Sequence, residues 1–279
     1  MRQRRVTITG TGGQLGSALQ RRFGADWVID RIARPETDIC DWPAVRTRIA
    51  HFLPDLVIHA AAATDVDLCE TQPDTAFRIN ALGTRNVAHA AASVGAELVY
   101  VSTNYVFDGE KPAPYHEFDV VRPISVYGAS KLAGEQEARG ALARCHIVRT
   151  AWLYAPSGRN FALTMARLMT ERDRLTVVAD QFGNPTSADD LAGAIAEIVT
   201  NAPYGVHHAV NAGSASWYEW AVAIAQLLER QVVIEPIPAS AWGRPARPPA
   251  NGVLTSLSLP TAGIELPDWR DALVRTLRS

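Results

Sequence analysis

Cysteine is scarce in this chain, with three residues in 279. Cys40, Cys69 and Cys145 lie far apart and are odd in number, and no Cys-x-x-Cys occurs. That spacing excludes a disulfide framework and a sequence-local zinc site, and reduced thiols are expected. Excess charge is also missing: the formal net charge is −2 and the isoelectric point is near 6.4. Neither a nucleic-acid surface nor a polybasic membrane patch is implied. No apolar stretch approaches the roughly 20 residues that span a bilayer. Arg2, Arg4 and Arg5 make the amino terminus basic, but Val6 to Thr9 then runs straight into a glycine turn. That reads as a first strand and not as a leader, so a soluble, cytoplasmic protein is expected. Repeats and low-complexity tracts are absent, and no cluster of metal-ligand residues stands out.

What is present is ample core material. Hydrophobic residues make up 47% of the chain and charged residues 20%, which excludes global disorder. The first half alternates short apolar runs with helical patterns. Strands are predicted at Val6–Thr9, Trp27–Asp30, Leu56–His59, Leu98–Val101 and His146–Arg149. Helices are predicted over 13–23, over 42–52 with Asp41 as N-cap and Pro43 in the first turn, over 77–94, and around Tyr127. Short apolar strands separated by helices imply a parallel sheet covered on both faces, and right-handed crossovers make it doubly wound. The second half is less regular. Helices are predicted over 160–172, 188–200 and 217–230, and strands over 175–178 and 206–210, the latter returning to the main sheet. The Pro-rich stretch 237–249 is predicted as loop. The expected organisation is an α/β domain over 1–150, joined by parts of 182–212, with a smaller interleaved lobe over 151–279.

Gly10, Gly13 and Gly16 are spaced G-x-x-G-x-x-G, after one strand and before one helix. In that context glycines allow a tight turn, close approach of a pyrophosphate and close packing of helix on sheet. The following helix, opening through Gln14 and Leu15, offers free N–H groups and a positive dipole end to phosphates. Asp30 comes twenty residues after Gly10 and is a candidate acceptor for ribose hydroxyls. Arg31 and Arg34 follow and are candidates for a 2′-phosphate instead. The cofactor is therefore a nicotinamide dinucleotide, NADH or NADPH. Asp38 and Ile39 are placed to flank an adenine, and Ala61, Ala62 and Ala63 give room where a cofactor passes the backbone.

Tyr127 and Lys131 are four apart and share a helix face. An ammonium beside a phenol favours the phenolate and lowers a pKa whose reference is about 10. A tyrosine so tuned exchanges a proton with a carbonyl oxygen near neutral pH. Thr103 follows the fourth strand, where ligands of such sheets bind, and is a candidate hydroxyl donor to the substrate oxygen.

With the glycine turn, Thr103, Tyr127 and Lys131 resemble the catalytic set of the extended short-chain dehydrogenase/reductase superfamily. Longer blocks narrow the likeness. Ala60 to Asp67, Ser102 to Gly109, Val126 to Glu135, Arg149 to Ala155, Asn160-Phe161, Asp180 to Ser187, Ser216 to Glu219 and Arg247 to Asn251 resemble dTDP-4-dehydrorhamnose reductases. The resemblance covers essentially the whole chain. It implies a Rossmann-type sheet and reduction, by NADH or NADPH, of the C4 ketone of a dTDP-linked 4-keto-6-deoxyhexose. In that scheme Tyr127 protonates the emerging alkoxide, Lys131 tunes it and holds the nicotinamide ribose, and Thr103 bonds the oxygen. Asn104, Trp152, Asn160 and Arg247 join Thr103 and Tyr127 as sugar-nucleotide contacts. The assembly is left open, with a homodimer among those it admits. One departure stands out: the family usually has Asp after the threonine, and this chain has Asn104. Dehydratases of the superfamily need an acid there, so dehydration is not expected. Two other readings share the motifs: a non-catalytic regulator resembling the β subunit of methionine adenosyltransferase, and a nucleotide-sugar epimerase.

Overall fold

The computed structural model describes residues 3–278, so Arg2 lies outside the described residues. Six strands form the main sheet: β1 (Arg5–Thr9), β2 (Val28–Ile32), β3 (Leu56–His59), β4 (Glu97–Thr103), β5 (Cys145–Thr150) and, from late in the chain, β10 (Gly205–His208). Their order is β10-β5-β4-β3-β1-β2 and every pairing is parallel. The order reverses direction between β1 and β3, which opens a crevice at their carboxyl ends.

Strand periodicity puts alternate residues on opposite faces. Leu56 and Ile58 of β3 join Leu15 and Leu19 of α1 (Gln14–Phe23) in one core. Val57 joins Val45 and Ile49 of α2 (Trp42–Phe52) in the other. Asp41 caps α2 through the Ala44 amide, and Pro43 stands in its first turn. Both faces are thus covered, as the uninterrupted apolar strands require.

The helix expected over 77–94 is more complex. The chain first makes α3 (Val66–Thr71), capped by Asp65, then α4 (Pro73–Phe77), a single π-helical turn (Arg78–Leu82) and α5 (Gly83–Ser93). The widened turn aims fully buried Asn80 at Ala63, in the loop after β3, and at Ser130. Its amide accepts from Ala63 N–H (2.8 Å) and donates to Ala63 C=O (3.1 Å) and Ser130 Oγ (2.9 Å). Such bulges re-aim a side chain at the cost of one regular turn.

After α6 (Val126–Ala141) and β5 the chain interleaves two structures. β6 (Leu153–Tyr154) pairs with β9 (Thr186–Ser187), and β8 (Phe182–Gly183) pairs with β11 (Ala215–Ser216). β7 (Arg174–Val178) pairs in parallel with β12 (Val233–Ile237), a strand absent from the sequence expectations that ends at the first residue of the stretch expected as loop. Helices α7 (Phe161–Glu171) and α9 (Trp217–Leu227) pack on that ribbon around Trp220, Met165 and Met169. Helix α8 (Ala188–Asn201) returns to α1 and the main core. Two helices absent from the sequence expectations, α10 (Ser258–Thr261) and α11 (Trp269–Leu277), close the chain.

Candidate active site

A cleft of about 1050 Å³ runs along the carboxyl ends of the parallel strands. One wall is the glycine turn. Gly10 has φ +73°, and a Cβ there would sit 2.7 Å from Ala61 N, so only glycine fits. Gly13 is the N-cap of α1, with no capping side chain and no acid in the first turn. The amino end of α1 therefore faces the cleft with unmet N–H groups, suited to an anion. Gly10, Gly13, Gln14, Leu15 and Gly16 all line it, as do Ala61, Ala62 and Ala63 after β3.

The second strand places its residues differently from expectation. β2 continues to Ile32, so Asp30 stands in mid-strand and not at the end. Its buried carboxylate accepts from Arg48 Nε (2.9 Å) and Nη2 and from Thr7 Oγ1 (3.3 Å). It is not among the cleft residues. Arg31 turns outward to Gln20 Oε1 (2.6 Å). Arg34, Asp38 and Ile39 do line the cleft. The Cys40 amide donates to Asp38, which holds its carboxyl below the ordinary range.

The opposite wall carries Thr103, Asn104, Tyr127 and Lys131. β4 runs two residues further than expected because Thr103 still pairs with Thr150 of β5, and this delivers Thr103 to the strand end. Ser125 caps α6 through Gly128 N–H, which sets Tyr127 in the first turn. The Tyr127 ring is buried and packs edge-on against Tyr105, with centroids 5.3 Å apart. Burial pushes its phenol pKa up, against a hydrogen bond with Thr103 that works the other way. Lys131 Nζ donates to Val101 C=O (2.7 Å) and lies 4.1 Å from the Tyr100 ring centre. Burial lowers its pKa to about 7, with Glu135 opposing. The expected lowering of the phenol by the ammonium is thus not found: desolvation dominates at both groups.

Sequence reasoning missed the support behind this wall. Glu135, one turn beyond Lys131, accepts from Ser102 Oγ (2.6 Å) and from Arg149 Nε (2.9 Å) and Nη2 (2.7 Å). All three side chains are buried, so the fork fixes α6 against β4 and β5. The visible signal was an acid four residues after Lys131, but its partners come from other strands. Asn80, which fixes Ala63, was missed for the same reason.

At the cleft's far end Trp152 has φ +43° and stacks on Trp217, with centroids 3.6 Å apart at 13°. Trp217 also lines a second cavity of about 800 Å³, which contains Arg247. Asn160 is engaged elsewhere. Its Oδ1 caps α7 at Leu163 N–H (2.9 Å), and its Nδ2 donates to Gln14 Oε1 (2.9 Å) and Ala155 C=O (3.0 Å). It ties the glycine turn to the smaller lobe and presents no free polar atom to a sugar. No group of three or more potential metal ligands occurs among the described residues. No described helix is long and apolar enough to cross a membrane.

A doubly wound parallel sheet, a glycine turn at its switch point and a Thr-Tyr-Lys group across the cleft define a dinucleotide-binding protein of the extended reductase type. Comparison with known proteins narrows this. The chain matches the RmlD substrate binding domain model over residues 4–279 and belongs to that family. A dTDP-4-dehydrorhamnose reductase of Sinorhizobium fredii (strain NBRC 101917 / NGR234) is 39% identical over 283 residues, covering 97% of this chain and 96% of the relative. The spore coat polysaccharide biosynthesis protein SpsK of Bacillus subtilis (strain 168) is 37% identical over 270 residues, covering 96% and 95%. The crystal structure of a dTDP-4-dehydrorhamnose reductase of Bacillus anthracis strain Ames, in complex with NADP, superposes with a TM-score of 0.97 at 40% identity, covering 99% of both chains.

Proposed function

We propose that this protein reduces the C4 ketone of a dTDP-linked 4-keto-6-deoxyhexose, giving dTDP-L-rhamnose or a related deoxysugar nucleotide. The observation that carries the reading is the single cleft in which the uncapped amino end of α1 faces Thr103, Tyr127 and Lys131. Its continuation past Trp152 and Trp217 into the second cavity gives a nucleotide sugar room beyond the reacting carbon. NADP bound to the Bacillus anthracis relative supports the cofactor class. Arg34 in the cleft, with Asp30 turned away, favours NADPH over NADH, because a guanidinium suits a 2′-phosphate and no β2 acid repels it. We assign residues 1–150 and parts of 182–212 to cofactor binding and 151–279 to the sugar nucleotide.

Reduced nicotinamide supplies the hydride when it is bound. The chain's part is to hold the sugar oxygen and deliver a proton to it. The raised pKa of Tyr127 keeps its phenol protonated through neutral pH, the state that a general acid for carbonyl reduction needs. Thr103 hydrogen-bonds the same oxygen as charge builds there. Lys131, held between Val101 C=O and the Tyr100 ring one helical turn from Tyr127 on α6, offers the nicotinamide ribose a hydrogen-bond donor. Trp152 offers the sugar an apolar face, and Arg247 offers the nucleotide a cation.

The test is NADPH oxidation with a dTDP-4-keto-6-deoxyhexose, followed by product analysis. One NADPH consumed per reduced sugar is expected. Turnover without net cofactor loss would mean an epimerase. No turnover, with a partner enzyme co-purifying stoichiometrically, would mean a regulatory subunit.

A further inference from the structure

Asn104 is buried, and both polar ends of its amide are bonded to the protein. Nδ2 donates to the backbone C=O of Gly252 at 2.9 Å. A carbonyl only accepts, so this contact fixes which end of the amide is nitrogen. Oδ1 is thereby turned to Thr103, whose hydroxyl donates to it at 3.2 Å, and Thr103 Oγ1 also accepts from the Tyr105 N–H at 3.2 Å. A backbone group 148 residues away in sequence therefore sets the direction of the Thr103 hydroxyl.

Gly252 ends the strap that lines the second cavity through Arg247, Pro248 and Ala250. The strap is tied down at Phe182, whose N–H donates to Ala250 C=O (2.9 Å) and whose C=O accepts from Gly252 N–H (2.8 Å). A Cβ on Gly252 would overlap Asn104 Nδ2, so the contact requires glycine. An aspartate at 104 keeps the acceptor for Thr103. It loses the donor and sets a negative oxygen against a carbonyl.

We propose that Asn104 is a positioning residue that latches the nucleotide-side strap to the reacting wall of the cleft, so that the lining of the second cavity and the direction of the Thr103 hydroxyl depend on one side chain. This rests on the reductase reading above. The amide acts at two ends, and the two ends are separable. The Nδ2 end governs binding through the strap, and the Oδ1 end holds the single Thr103 hydrogen until the sugar oxygen takes it over, which is how it governs turnover.

The experiment compares Asn104→Asp, Asn104→Ala and Gly252→Ala by NADPH oxidation and by calorimetric binding of dTDP to the NADPH complex. For Asn104→Asp, KM and the dTDP Kd are expected to rise about tenfold at neutral pH, the scale of one buried hydrogen bond, with kcat falling no more than about threefold. A protonated carboxyl donates as the amide does, so this KM is expected to fall as pH is lowered toward the carboxyl range. The ionisable groups on the cleft's reacting wall with Asn104 are Tyr105, Tyr127 and Lys131, with Arg34, Asp38, Asp65, Cys69, Arg78 and Arg159 elsewhere on its lining, and all are present in the wild-type control. Gly252→Ala is expected to reproduce the binding defect with Asn104 intact, and Asn104→Ala to lose kcat as well. An Asn104→Asp enzyme with KM and Kd within twofold of wild type at every pH would overturn the proposal, as would one losing kcat alone. If wild type binds dTDP but never oxidises NADPH, the reductase reading fails, and the dTDP Kd series alone then decides the latch.

Discussion

The cleft has two walls made by different means. The cofactor wall is backbone: the Gly10 turn, the bare amino end of α1 and the alanines after β3. The opposite wall is side chain, supplied by β4, α6, the Trp152 turn and a strap near residue 252. A backbone wall can be specified by a few adjacent residues, because a turn needs only local conformational freedom. A side-chain wall has to be held in place from behind, and its holders come from distant segments. The two walls therefore fail differently when altered.

The largest effect is expected at the reacting wall. Tyr127→Phe removes one hydroxyl and is expected to lower kcat by about 10²- to 10⁴-fold, with NADPH binding within about twofold of wild type. Steady-state kinetics and fluorescence titration of NADPH check both halves. Unchanged turnover would rule out the phenol as the acid.

Next comes the buried carboxylate that ties the 256–258 segment, just past the strap, to β10. Glu117 accepts from His208 N–H, Leu257 N–H and the hydroxyls of Ser256 and Ser258. Burial opposes its ionisation, but these bonds prevail and hold its pKa at about 2, below the ordinary 4.5. A depressed carboxyl contributes stability that is present above the unfolded value and lost as pH falls. Glu117→Gln is therefore expected to cost about 3 kcal/mol near neutral pH. That difference should shrink as pH drops from about 4.5 toward 2. Urea unfolding at several pH values measures it, and a gap independent of pH would contradict the ionic origin.

The backbone wall should answer to geometry and not to chemistry. Gly10→Ala forces a residue with a side chain into φ +73° against Ala61 and is expected to cost about 1–3 kcal/mol and to weaken NADPH binding. Gly12→Ala, with open space around its Cβ, is expected to cost no stability. Thermal melts with and without NADPH separate the pair. The smallest expected effect is at the outer rim. Arg34→Ala should weaken NADPH about tenfold and leave NADH nearly unchanged, a loss of order 1.4 kcal/mol. Arg31→Ala, whose side chain faces Gln20, should change neither.

The same contrast explains what could be read from the sequence. The glycine turn, the Asp41 cap and the Tyr127–Lys131 spacing are local patterns, and the structure puts each where its neighbours imply. Asp30 misled because counting residues does not count strand length: two more residues of β2 put its carboxylate beside Arg48. Asn160 reads as a polar group near a sugar, but it sits at a helix start and its amide is taken by the cap. Asn80, Glu135 and the Gly252 contact stayed invisible because their partners lie 14 to 148 residues away. The pKa pattern was hidden too. Spacing put Lys131 beside Tyr127, and only burial revealed that desolvation outweighs that proximity.

The most direct test follows the hydrogen itself. NADPH carrying deuterium at the transferring position of its nicotinamide, turned over with a dTDP-4-keto-6-deoxyhexose, is expected to give a sugar with one deuterium at C4. An unlabelled product, or label at another carbon, would contradict the assignment.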